Sequence, residues 1–409
     1  MTRLSAGFLP LMDAAILIAA ARLGFADKEG IELQLMRDAS WANIRDRIAI
    51  GHFDAAHMLA PMPIAANLGL GPLPGRLAAP FAMGLGGNAI CVGNELAAEI
   101  LSQGDGASTL PIHDAALSGH RLAAALERRR RGGRATRFAV VHSHSGHNLE
   151  LRYFMAASGI DPDGDVEIVI VPPPFMPDAL ASGRIDGFCV GEPWSNVAIA
   201  RGVGRVIATK NAIWRSSPEK VLAVRHVLLD DDPGLVHALV RALYRAAVWC
   251  DEPGNHSELA HLLAEPGHLN VPATILQDSL AGRFGPDDDT GGRDFFVTCR
   301  RAATFPWRSH ALWLYSQMVR WNLLDHSSAN AKIANGTYRP DVYRAALAGT
   351  DALLPASDAK VEGALTQARD LPSADGRTLL IGPDGFMDGR IFDPAELDSY
   401  IAEQRGDVK

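Results

Sequence analysis

The chain has 409 residues, 47% of them hydrophobic and 21% charged, which excludes a disordered or fibrous protein and leaves room for two or three domains. A net charge of -8 argues against a nucleic-acid-binding surface, which needs an excess of Lys and Arg. Four scattered cysteines, Cys91, Cys189, Cys250 and Cys299, form no CxxC pair, which argues against a zinc ribbon or redox motif and for a reducing compartment.

From the N-terminus, strand and helix patterns alternate. "RLSAGFLP" reads as a strand, and "DAAILIAAARLGFADKEG" as a helix with Asp13 as N-cap and a glycine stop. "IELQLMR" is a strand, "SWANIRDRIAIG" a helix capped by Ser40, "FDAAHML" a strand and "MPIAANLGLG" a helix. "NAICVG" is a further strand. Because the folded pattern begins at once, a cleaved leader would remove the first strand and helix, and no apolar run reaches the roughly 20 residues of a membrane span. A cytoplasmic protein is expected. A charged helix then ends in "ERRRRGGRATR". Its run Arg128–Arg131 reads first as a solvated helix end and second as a patch for a partner.

A second alternating unit follows: "RFAVVH" as strand, "HNLELRYFMAASGI" as helix, "DVEIVIVPPP" as strand, "FMPDALASGRI" as helix and "DGFCVG" as strand. The stretch "DRIAIGHFDAAHML" in the first unit parallels "DALASGRIDGFCVG" in the second. The order implies mostly parallel sheets covered by helices, and the repeated plan implies two similar α/β lobes. The lobes are set at 1–91 plus 189–409, carrying a helical C-terminal extension, and 92–188. In that extension "GLVHALVRALYRAAVWCDEP" and "RSHALWLYSQMVRWNLL" carry apolar residues at helical spacing, and "RTLLIGPDGF…FDPAELDSYI" reads as strand, turn and helix.

The richest stretch is "HSHSGHNLELRYF". His142, His144 and His147 resemble a metal set, but no cysteine or paired carboxylate completes tetrahedral coordination, so no metal is expected. The helix start instead offers free backbone N–H groups to an anion, with Ser145 or Asn148 as cap and His147 in the first turn. "SWANIRD" repeats that geometry with Trp41, whose indole donates one hydrogen bond and walls off water. Asn88, in "GLGGNAICV", is a candidate amide donor. The nominal G-x-G-x-x-A there precedes a strand and is a poor dinucleotide fingerprint. Lys220 of "SSPEKVLAV" is the candidate countercharge, and Glu192 of "CVGEPWSN" a hinge or inter-lobe residue. Without a nucleophile elbow, Walker loop or H-E-x-x-H, neither catalysis nor a cofactor is expected.

"GFLPLMDAAILIAAARLGFADKEGIELQL", "ASWANIRDRIAIGHFDAAHMLAPMP", "HNLELRYFMAASGIDP", "IVPPPFM", "GRIDGFCVGEPWSN", "PEKVLAV" and "FPWRSHALWLYSQMVRW" together resemble the nitrate- and bicarbonate-binding proteins of the NrtA/CmpA type. The resemblance implies a type II periplasmic-binding-protein fold with two lobes, a hinge and a cleft. It implies ligand contacts from Trp41, Asn88, His147 and Lys220, although a longer amide is the expectation at Asn88. Within the family the chain is most similar to the cytoplasmic nitrate/nitrite sensors of the NasS type. That implies a partner, the NasT-type RNA-binding antiterminator with an ANTAR domain, held without ligand and released when nitrate or nitrite binds. The alternatives are a receptor of an ABC transporter and, on the same superfold, a thiamine-pyrimidine synthase, whose cysteine-rich motif is missing. Nitrate needs a cation, several donors and an apolar wall. Bicarbonate also brings a proton to donate, for which Glu219 and Glu192 are candidate acceptors.

Overall fold

The computed structural model describes residues 1–73, 75–104, 109–285, 288, 292 and 294–406. Its strands are β1 (Thr2–Phe8), β2 (Ile31–Arg37), β3 (Ala55–Leu59), β4 (Leu77–Ala82), β5 (Leu85–Gly86), β6 (Asn88–Gly93), β7 (Arg137–Val140), β8 (Glu167–Ile170), β9 (Gly187–Gly191), β10 (Gly204–Thr209), β11 (Lys220–Arg225), β12 (Phe296–Val297), β13 (Arg369–Pro372) and β14 (Thr378–Ile381). Two five-stranded sheets run β2-β1-β3-β11-β4 and β8-β7-β9-β6-β10. They share one plan. In each, three parallel strands (β2, β1, β3; β8, β7, β9) are followed by two antiparallel steps (to β11 and β4; to β6 and β10). β3 and β9 are buried along their whole length, as parallel strands covered by helices on both faces must be.

The sheets move the lobe boundaries. β6 begins at Asn88, and both β9 and β10 hydrogen-bond into the second sheet, so that sheet spans 88–209 and not 92–188. The segment "GRVIAT" is β10, an edge strand antiparallel to β6. An edge strand that follows a helix carries little local sign of which sheet it will join. The chain passes between the lobes twice, once between β4 and β6 and once between β10 and β11.

Helix starts follow the caps. Ser40 Oγ accepts the Asn43 N–H at 3.2 Å and starts helix 41–49; Ser145 Oγ accepts the Asn148 N–H at 3.0 Å and starts helix 146–157. Asp13 is different. A 3-10 turn at 12–14 precedes helix 15–22, whose N-cap position is Ala14, and Asp13 caps nothing. Its carboxylate is taken by a lysine 207 residues away. The arginine run also divides. Arg129 turns inward onto Glu99 (2.6 Å) and Asp186 (2.7 Å), while Arg131 stays exposed beside Glu127.

The C-terminal half covers both lobes. Helix 233–251 packs on helix 15–22, and helix 308–320 packs on helix 146–157. Trp214 packs at a tilt on Trp313 (4.5 Å between ring centres) and stacks on Phe386 (4.7 Å), which fastens the chain after β10 to the extension. No helix among the described residues is long and apolar enough to cross a membrane.

Candidate functional site

The site lies at the carboxyl ends of the parallel strands of both sheets, where open α/β folds gather ligands. β1 ends near Asp13, β2 leads to the helix start at Trp41, and β7 leads to the helix start at Gly146. β11 runs antiparallel to β3 and places Lys220, its first residue, opposite Leu59 at the end of β3.

Lys220 is fully buried and is the centre of the cluster. Its ammonium bonds Asp13 Oδ2 at 2.7 Å and Glu219 Oε1. Asp13 Oδ1 lies 2.8 Å from His57 Nε2. On the other side Glu219 Oε2 accepts from Lys210 Nζ at 2.6 Å, and Lys210 also holds Glu150 Oε1 (2.6 Å) and the Pro218 carbonyl (2.7 Å). The result is a buried file of alternating charge, Glu150–Lys210–Glu219–Lys220–Asp13, running from the second lobe into the first. Against the opposing effect of burial, Lys220 and His57 hold the Asp13 carboxyl, and His147, Lys210 and Lys220 the Glu219 carboxyl, below the usual carboxylate range. Glu150 goes the other way. Burial and the neighbouring Glu219 push it up to about 7, against the opposing pull of Lys210.

Around this file stand polar groups with no hydrogen-bond partner among the described residues: Trp41 Nε1, both side-chain polar atoms of Asn88, and both ring nitrogens of His147. Lys220 Nζ lies 5.6 Å from the Trp41 ring, and Trp41 in turn lies against His57. His147 Nε2 comes within 3.3 Å of Glu219 Oε1 without the alignment of a hydrogen bond. Burial depresses its pKa to about 3, so the imidazole is neutral and keeps one N–H to give. Asn88 is held near Asp13: both crowd Gly191, where a Cβ would meet Asn88 Oδ1 at 3.2 Å and Asp13 Oδ2 at 3.4 Å. A Cβ at Gly146 would meet Glu219 Oε2 at 2.7 Å, closer still. The lobes touch here, with Arg45 Nη1 3.5 Å from His142 Nε2.

The family model described as NMT1-like matches residues 1–264. The chain belongs to the NMT1-like family. Among its relatives is the nitrate/nitrite binding protein NrtA of Synechococcus elongatus, 30% identical over 97% of this chain and 84% of that one. The bicarbonate-binding protein CmpA of a Synechococcus species is 28% identical over 97% of this chain and 85% of that one. The crystal structure of the periplasmic nitrate-binding protein NrtA from Synechocystis superposes with a TM-score of 0.84 at 26% identity, covering 99% of this chain and 98% of the other. The fold is thus the two-lobed periplasmic-binding-protein fold, and the relatives named here are binding proteins, not enzymes.

In this family member the residues singled out from sequence part company. Trp41, His147 and Lys220 meet, and Asn88 borders them. Lys220 is not a free countercharge, because two carboxylates already share it. Glu192 stands apart. Its Oε2 accepts from the Asn196 N–H (3.1 Å) and from Ser279 Oγ (3.3 Å), tying the second lobe to helix 273–281. His142 and His144 pack on each other at 5.6 Å and not on His147. Sequence reasoning took Glu219 for a bicarbonate acceptor and Asp13 for an N-cap, and passed over Lys210, Glu150 and His57. "TKNA" and "HNLEL" carry no pattern that pairs Lys210 with Glu150 across 60 residues.

Proposed function

We propose that the chain binds nitrate or nitrite between its lobes. The observation that carries this is the ring of buried, unsatisfied groups, Trp41 Nε1, the Asn88 amide and the His147 imidazole, gathered about Lys220. Each buried donor without an acceptor costs about 1–3 kcal/mol, which a ligand that accepts and does not donate returns. Nitrate has that character, and the Trp41 face supplies its apolar wall. The relatives' printed ligands, nitrate, nitrite and bicarbonate, support the same class.

We further propose that it acts in the cytoplasm as a sensor. In its open form it holds a NasT-type antiterminator, and ligand-driven closure releases it. Four unpaired thiols suit a reducing compartment, and two lobe crossings give a hinge by which ligand changes shape. A second reading, the receptor of an anion importer, is favoured by the likeness to a periplasmic nitrate-binding protein over nearly the whole chain.

Calorimetric titration with nitrate, nitrite, bicarbonate and sulfate tests the ligand; a Kd near 1 μM corresponds to about 8 kcal/mol. Capture of a purified NasT-type antiterminator without nitrate, and its loss with nitrate, supports the sensor. Nitrate binding without any capture moves the function to transport. No binding by any of the four anions overturns both.

A further inference from the structure

The charge file is unbalanced. It holds three carboxylates, Asp13, Glu150 and Glu219, against two ammoniums, Lys210 and Lys220, with each of the five side chains no more than 3% exposed. Before His57 is counted, it carries one negative charge in excess. A monovalent anion entering beside it adds a second in a region shielded from solvent, where uncompensated charge is expensive. The charge has to be met by a proton. Glu150 is the place for it. It is the terminal carboxylate, it shares its only ammonium with Glu219, and it lies one helical turn from His147 on helix 146–157.

The groups facing Glu150 leave it this role. Lys210 and the Ser217 hydroxyl (3.0 Å) bond its Oε1, Glu219 opposes it across Lys210, and the buried Cys189 thiol faces it from β9. The charged groups of the other helices against helix 146–157 are engaged elsewhere: Arg320 over Tyr153 and Trp321, His310 with Glu362, and Arg129 with Glu99 and Asp186. The raised pKa of Glu150, about 7, puts its proton uptake in the physiological range.

We infer that Glu150, which need not touch the ligand, is a specificity-determining residue: it takes up one proton as a monovalent anion binds, and so admits a monoanion while a dianion such as sulfate stays uncompensated. This rests on the nitrate-binding function proposed above. By linkage, the nitrate Kd is flat below pH 7 and rises toward tenfold per pH unit above it.

The test is calorimetry of the full chain with nitrate at pH 8 in two buffers of different ionisation enthalpy, repeated with Glu150→Gln. The wild type is expected to take up close to one proton per nitrate. Glu150→Gln, which fixes the neutral state, is expected to bind nitrate about tenfold tighter than the wild type at pH 8 and to lose most of the uptake. Nitrate binding by the wild type with no proton uptake overturns the inference and leaves nitrate binding standing, and needs no variant. Uptake that persists undiminished in Glu150→Gln places the proton elsewhere, such as on Glu192, and overturns it too. Failure to bind nitrate at pH 6 as well as pH 8 overturns the nitrate-binding function, and the inference with it.

Discussion

Lys210→Met is the sharpest test of the buried file. Methionine keeps the length of the side chain and its apolar stem, and it removes only the ammonium. That ammonium makes three contacts, to Glu150 (2.6 Å), Glu219 (2.6 Å) and the Pro218 carbonyl (2.7 Å), from a side chain 1% exposed. Removing it leaves two carboxylates buried, one still held by Lys220 and one with only the Ser217 hydroxyl. Breaking a buried pair this way costs about 3–5 kcal/mol, well above the 0–1 kcal/mol of a surface pair. Urea unfolding at pH 8, followed by circular dichroism, is expected to show a lower midpoint with an unchanged slope. Adding Glu150→Gln to Lys210→Met removes the carboxyl that must otherwise take up a proton to stay buried, and is expected to return half or more of the loss. A Lys210→Met loss below about 1 kcal/mol, or a double variant no more stable than the single one, refutes the file as a connected unit.

Trp41→Phe keeps the aromatic wall and deletes only the orphaned Nε1 donor; nitrate affinity by calorimetry is expected to fall about tenfold, the worth of one hydrogen bond at 1.4 kcal/mol. Burial raises the Glu192 carboxyl to about 7 from a usual 4.5, so the folded state holds its proton more tightly than the unfolded. The stability that this lends is full below pH 4.5 and is lost as pH climbs through 7. Glu192→Gln is therefore expected to flatten the pH dependence of the urea midpoint between pH 5 and 8, and an unchanged profile counts against the assignment. Gly86 adopts φ +77°, and a Cβ there runs into the Phe295 carbonyl and the Asn211 amide. Gly86→Ala is expected to lower stability by about 2 kcal/mol or more, read by the same unfolding assay.

The residues that meet in the candidate site were legible as positions because each follows a local rule. Trp41 and His147 stand in the first turns of helices whose serine caps, Ser40 and Ser145, are written just before them. Lys220 opens a run of apolar strand residues. The charge balance was not legible. Asp13 looks like an N-cap because Asp is a common one, and only the placement of β11 beside β3 brings Lys220 to it. Lys220 therefore read as a bare cation, when Asp13 and Glu219 share its charge. Fold class and the repeated lobe plan were legible from alternation. The lobe limits were not, since β10 joins its sheet by pairing with β6 more than 100 residues earlier.

The shared strand plan sets an order of assembly. Every strand of the second sheet lies within 88–209, whereas the first sheet needs β11, at 220–225, to join β3 to β4. During synthesis β1, β2 and β3 emerge first, yet β4 has no neighbour in its own sheet until residue 225 has left the ribosome. The lobe made second is thus the first whose strands are all present in the growing chain, while the β3 edge of the one made first has no β11 to cover it. Lys220, whose charge meets Asp13, stands at the start of the strand that covers that edge. The charge cluster and the first sheet share that strand, and a chain stopped anywhere before 220 lacks both Lys220 and β11.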